Sequence, residues 1–249
     1  MFDYLLRFVD TQGDVVYGNL PEQISLDDLV GSKVQLLTGD PLTGFQKTDE
    51  TRTVKNVRCP LDSTPVFQCI GVNYPLHAVE GGDFKVPSQP MVFTKPADSK
   101  ADCKDVTEET ALDYVLGYTT GNDISARDYV PQEISGFQMS YGKSFDAFAP
   151  FGPYIVSPAI VGDPHKLQLV TKVNGEVRQN DNTSNMIWNI KQIIVHLTRG
   201  RTVRAGTVCM TGTPSGVGWF MKPSCFFKDG DIVEVTIEKV GTIRNKIVF

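Results

Sequence analysis

A β-rich α+β fold is predicted by three features: an alternating apolar pattern at the start, short β-branched runs punctuated by Gly, Pro, Asn and Asp, and one sustained helical period. Tyr4, Leu6 and Phe8 alternate, as do Val15 and Tyr17, and the turn residues Gln12-Gly13-Asp14 between them make a hairpin. SLDDLVGSKVQLL reads as a short capped turn followed by a strand. Pro, Asp and Ser gather between Cys59 and Pro65, which places a boundary near Thr64 between a small N-terminal β-rich domain (1–64) and a main domain (65–249). Strands follow at Val66–Val72, Met91–Thr94, Val115–Thr120, Tyr154–Val156, Leu167–Val173, Thr207–Met210, Ile232–Glu238 and Thr242–Phe249. The clearest helix runs from Asn185 to about Thr198 behind a Ser184 cap, with Met186, Ile187, Ile190, Ile193, Ile194 and Leu197 along one face.

A chain of 249 residues can bury a sizeable core, and with 41% hydrophobic and 21% charged residues it is neither disordered nor fibrous. The net charge of −5 argues against broad nucleic-acid binding. A small anionic substrate would then need local positive charge at its site, which Arg127, Lys143 or a metal could supply. The five cysteines (Cys59, Cys69, Cys103, Cys209, Cys225) are odd in number and lack zinc-type spacing, as expected of incidental thiols in a reducing compartment. No apolar run reaches membrane-spanning length, and the first residues, acidic almost at once, resemble neither a signal nor a transit peptide. The reading is cytoplasmic, with a mitochondrial location left open.

Four places carry chemistry. GYTTGNDISARD (Gly117 to Asp128) ends a β-prone run on Asp123, which can ligate a hard cation, and sets Arg127 four positions on, which can fork a carboxylate. Taken alone, an Asn-Asp pair is more often a plain turn. His77 and Glu80 share a face if their segment forms a helical turn, and a carboxylate behind an imidazole makes a general base; the bland alternative is a surface histidine. Lys143 could hold an oxyanion or be a solvated turn lysine. In TGTPSGVG (Thr211 to Gly218), Gly212, Thr213 and neighbouring amides could cradle a carboxylate, while no Walker lysine follows to suggest a phosphate. His165 in a loop and His196 on the packing helix read as structural, as do Trp188 and Trp219.

These blocks, with GVNYPLHAVE (Gly71 to Glu80), VFTKP (Val92 to Pro96) and YGKSFDAFAPFGPYIV (Tyr141 to Val156), resemble the fumarylacetoacetate hydrolase family, in its acylpyruvate hydrolase and oxaloacetate decarboxylase-like branch. The similarity runs from about Val66 to the C-terminus, with the blocks in the family's order. It implies a mixed β-roll catalytic domain, a Mg²⁺ or Mn²⁺ ion, a homodimer, and chemistry on short keto acids. By the same resemblance His77 and Glu80 would be the water-activating dyad, followed by a mobile Gly81-Gly82 lid, and Lys143 would belong to the active site. Arg127 would take the substrate carboxylate, Lys95 would be a lid-associated lysine, and Asp123 a metal ligand.

Two departures stand out. The family completes its cation site with an E-x-E pair on a strand, and this chain has no E-x-E; Pro96 lies only fifteen residues before Ala111, so a few tens of residues are missing, with the seam near Ser99 and Lys100. Adjacent Glu108 and Glu109 would face opposite sides of a strand and are poor substitutes. Either the natural protein carries a further segment there, or the segment is deleted and the metal site with it. The second departure is Val130, where many relatives carry glutamine, which bears on substrate polarity. The expected function is metal-dependent hydrolysis of a C–C bond in a small β-diketo acid such as an acylpyruvate. The alternatives are oxaloacetate decarboxylation or keto–enol tautomerisation, or a non-catalytic binding protein on the same fold.

Overall fold

In the computed structural model, residues 1–41, 43–64, 66–82, 86–96, 102–136 and 138–249 are described, with the backbone alone for Lys95, Pro96, Asp102 and Gln132. In chain order the elements begin β1 (Tyr4–Asp10), β2 (Val15–Leu20), α1 (Leu26–Leu29), β3 (Lys33–Asp40) and β4 (Gly44–Val57). Then come β5 (Val66–Gly71), α2 (Pro75–Glu80), β6 (Met91–Pro96), β7 (Asp102–Lys104), β8 (Tyr118–Gly121), α3 (Gln132–Ser135), β9 (Phe151–Val156) and α4 (Pro158–Val161). The chain closes with β10 (Gln168–Val173), β11 (Glu176–Asn182), α5 (Ile190–Thr198), β12 (Thr202–Arg204), β13 (Val208–Met210), β14 (Ile232–Ile237) and β15 (Gly241–Lys246). The β-rich α+β expectation holds.

The first four strands close on one another, because β1 pairs with both β2 and β4 while β3 joins β2 to β4. β1 also pairs antiparallel with β9, Tyr4 opposite Val156, and β9 pairs with β8. The division expected near residue 64 therefore falls between β4 and β5 along the chain, yet the sheet runs across it. Alternation along β1 serves two cores: Tyr4, Leu6 and Phe8 pack with Leu20, Val34, Val54, Tyr154 and Val156, whereas Leu5 faces Phe2, Leu37, Leu61 and Ile155. A four-stranded sheet, β11-β10-β14-β15, and a three-stranded one, β13-β5-β6 with β13 parallel to β5, make up most of the rest. The Thr120 hydroxyl donates to the Gly241 carbonyl at 2.9 Å, tying β8 to the turn that opens β15.

Several boundaries differ from expectation for identifiable reasons. The helix begins at Ile190 rather than Asn185, because Asn189 and Gln192 form a reciprocal capping box while residues 183–185 make a separate 3-10 turn capped by Asn182. Met186 and Ile187 thus precede the helix, and His165 Nε2 accepts the Ile190 amide hydrogen at 3.0 Å, a structural role. The strand expected from Val115 begins at Tyr118, and the last ends at Lys246. Four strands were not anticipated: β4, in which only Val54 is buried, the edge strand β11, and the short β7 and β12, which pair with each other. All five cysteines are thiols rather than halves of disulfides, and burial pushes the Cys209 thiol up to about 12. No helix among the described residues is long and apolar enough to cross a membrane.

Candidate active site

The ladder between β8 and β9 continues beyond both strands. The Asn122 amide donates to the Pro150 carbonyl, that of Ile124 to Phe148 and that of Ala126 to Gly142, so residues 122–126 lie against 142–150. This brings Asp123 opposite Lys143, whose ammonium donates to Asp123 Oδ2 at 2.5 Å and to Ser125 Oγ at 2.8 Å. The approach depends on Gly142, where a Cβ would lie 2.8 Å from the Ala126 carbonyl oxygen. Lys143 is 3% exposed, with its charge 4.5 Å from the centre of the Phe93 ring, so the solvated-lysine alternative falls away.

His77 and Glu80 do share a helical turn. Buried Tyr74 precedes α2, Pro75 opens it, and buried Ala78 anchors it. His77 Nδ1 is 2.6 Å from Glu80 Oε1, and the Gly216 amide donates to Glu80 Oε2 at 2.8 Å. Two donors on one carboxylate hold the proton of a neutral imidazole on Nδ1 and leave Nε2 as a base. Gly216 sits at φ +104°, and a Cβ there would lie 1.9 Å from the Arg178 carbonyl oxygen, so only glycine keeps this latch.

The Thr211–Gly218 loop is held by residues that the sequence did not mark. Asn73, fully buried, donates from its side-chain amide to the Trp188 and Thr211 carbonyls and accepts the Trp188 amide hydrogen. It lay within a recognised block, but nothing in its spacing marked it. Gln179 donates to Thr213 Oγ1 at 2.8 Å and to the Pro214 carbonyl at 2.9 Å. The Arg127 guanidinium lies 5.7 Å from the centre of the Phe220 ring, and the Phe220 and His77 ring centres are 5.9 Å apart in a T-shaped arrangement. Burial lowers the pKa of Arg127 against the opposing charges of Asp123 and Glu80, yet a guanidinium stays protonated at neutral pH.

His77, Asp123, Arg127, Lys143, Gly212 and Thr213 line one cavity of about 1010 Å³, with Glu80 standing behind His77. Phe93, Phe151, Met210, Val217 and Val130 add apolar walls. Glu108 and Glu109 are exposed and do not line it. The Lys95 side chain and the seam at Ser99 and Lys100 lie outside the described residues, although the Lys95 backbone pairs with Phe67 on β5. For a hard divalent cation the donors fall short: among the described residues no three His, Cys, Asp or Glu side chains converge, and Asp123 bonds to an ammonium. These residues do not fit magnesium or manganese.

A model of the fumarylacetoacetate (FAA) hydrolase C-terminal family matches residues 99–248, more than half of the chain. The chain belongs to the fumarylacetoacetate hydrolase family. It is 35% identical over 225 residues to the mitochondrial oxaloacetate tautomerase fahd2 of Xenopus laevis, covering 80% of this chain and 70% of that one. It is 37% identical over 208 residues to the oxaloacetate tautomerase YisK of Bacillus subtilis, covering 72% and 68%. Among solved structures, a 2-hydroxyhepta-2,4-diene-1,7-dioate isomerase from Mycobacterium marinum superposes with a TM-score of 0.79 at 29% identity, covering 99% of this chain and 98% of that one. The 225-residue alignment spans only 80% of 249 residues here, so the Xenopus member of the family carries some two dozen residues without counterpart in this chain.

Proposed function

We propose that this protein catalyses keto–enol tautomerisation of a small 2-oxo dicarboxylic acid of the oxaloacetate class. The observation that carries the reading is a base and two cations on one cavity: His77 backed by Glu80, facing Lys143 and Arg127. Tautomerisation needs only a proton moved from carbon to oxygen. His77 Nε2 takes the proton from the carbon beside the ketone, the C–H pair becomes the C=C bond, and the carbonyl pair moves onto oxygen. The Lys143 ammonium stabilises that oxyanion in a buried setting, and the protonated imidazole, held by Glu80, returns a proton to the oxygen. Arg127, or the Thr213 loop with its amides, fixes the carboxylates. Two relatives named as oxaloacetate tautomerases support the substrate class.

Hydrolysis of an acylpyruvate is the second reading, and one observation favours it: the cavity is larger than a four-carbon diacid requires and has apolar walls that could hold an acyl tail. A substrate panel separates the two. Faster decay of the oxaloacetate enol, lost in His77→Ala, supports tautomerisation; acetate and pyruvate released from acetylpyruvate support hydrolysis, and carbon dioxide from oxaloacetate a decarboxylase. An enol decay rate unchanged by the protein sinks the first reading.

A further inference from the structure

We infer that the Lys143 ammonium takes the place expected of a divalent cation, so that this chain binds 2-oxo acid anions without magnesium or manganese. The inference deepens the tautomerase reading and rests on it for the ligand class. A hard cation such as Mg²⁺ takes about six oxygen ligands, and even where waters fill most of them the protein must supply one or two carboxylates. Here Asp123 Oδ2 accepts from Lys143 at 2.5 Å, so a divalent ion on that oxygen would sit within reach of a like charge. Both oxygens of Glu80 are engaged, one with His77 and the other with the Gly216 amide. Among the described residues, the remaining carboxylate on the cavity wall, Asp231, accepts from Asn174 Nδ2 and the Lys228 amide.

Charge points the same way. Among the described residues, the ionised side chains on the wall are the cations Arg127, Lys143, Arg178 and Lys228 against the carboxylates Asp123 and Asp231. With Glu80 behind His77 and Glu176 paired to Arg178 at 3.3 Å counted as well, four cations meet four carboxylates, so the site carries no net negative charge for a divalent ion to neutralise, in a chain of net charge −5. On the wall itself the cations outnumber the carboxylates, which favours an anionic ligand there. Where a metal would chelate the two oxygens of a 2-oxo acid, the Lys143 ammonium can donate to the keto oxygen while a guanidinium or the Thr213 loop takes the carboxylate.

The test is isothermal titration of oxamate, a stable 1,2-dicarbonyl anion, into the full chain in EDTA and again in excess MgCl₂ or MnCl₂, beside thermal melts with each metal alone. The expected result is a Kd equal within about twofold in the three conditions and no rise in Tm from either metal. Lys143→Met should weaken binding about tenfold or more, the worth of a charge-assisted hydrogen bond. If that variant does not fold, Arg127→Gln and the wild-type comparison still decide. Binding that disappears in EDTA, or a Tm raised by metal alone, would overturn the inference even if tautomerase activity is found. Metal-free oxamate binding without enol turnover would uphold it and reject the tautomerase reading instead.

Discussion

Glu80→Gln is a sharp perturbation because both hydrogen bonds of the native carboxylate are accepted, from His77 Nδ1 and from the Gly216 amide. A glutamine has one accepting oxygen and one donating nitrogen. If its oxygen keeps the Gly216 amide, its nitrogen donates to His77 Nδ1, and the ring proton must move to Nε2. The network stays satisfied and stability should change by less than about 1 kcal/mol, but the atom that must take the substrate proton now carries one. An inverted tautomer of this kind, with loss of the charge that stabilises the imidazolium, should lower kcat by about 10²- to 10⁴-fold. The assay is the loss of enol absorbance under saturating oxaloacetate, with a thermal melt and ¹⁵N spectra of the His77 ring in parallel. Glu80→Ala, which abandons both donors, should lose activity and also about 1–3 kcal/mol of stability. Retention of near wild-type turnover in Glu80→Gln, with the ring proton on Nε2, would refute the argument that Nε2 is the base.

Gly216→Ala should destabilise the chain by about 3 kcal/mol or more, read as a urea midpoint, because a left-handed backbone and a backbone carbonyl both oppose its Cβ. Asn73→Ala deletes three buried hydrogen bonds and should cost about 3–5 kcal/mol in the same titration; a loss below about 1 kcal/mol would show that the three segments it joins hold without it. His196 predicts a pH effect. Burial, then Arg199 and Arg201, lower its folded pKa below 6.5, so as pH falls through about 6.5 the unfolded chain takes up the proton first and stability declines. His196→Gln should flatten the slope of Tm against pH between about 7 and 5, and an unchanged slope would assign that effect to other groups.

Apolar strands were legible because their periodicity reports burial: β1, β5, β10 and β14 lie within a residue or two of their expected bounds. The strand β4 was illegible because GFQKTDETRTVKNV buries almost nothing; it is a strand because β3 and β1 supply backbone partners, which only the assembled sheet reveals. The site divides in the same way. His77–Glu80 could be read from i, i+3 spacing, whereas Lys143 against Asp123 required a ladder between segments twenty residues apart. Gln179 carried no signal, since it comes from a polar edge strand whose register alone brings it to Thr213.

The two halves of the site hang on different scaffolds. Lys143 and Asp123 sit on an extension of the β8–β9 ladder, and β9 is pinned by β1, so the closed N-terminal strands brace the charged end of the cavity through backbone hydrogen bonds. The dyad and the Thr213 loop depend instead on side chains and on one amide: Asn73 at the start of the α2 segment, Gln179 beneath the loop, and Gly216 N on Glu80. Because Glu80 takes that amide from the same TGTPSGVG run that presents Thr213, a carboxylate settling on the loop also bears on the orientation of His77. The loop and His77 are thus joined through one amide, whereas the buried Lys143 ammonium is held by a separate set of contacts, to Asp123 and Ser125.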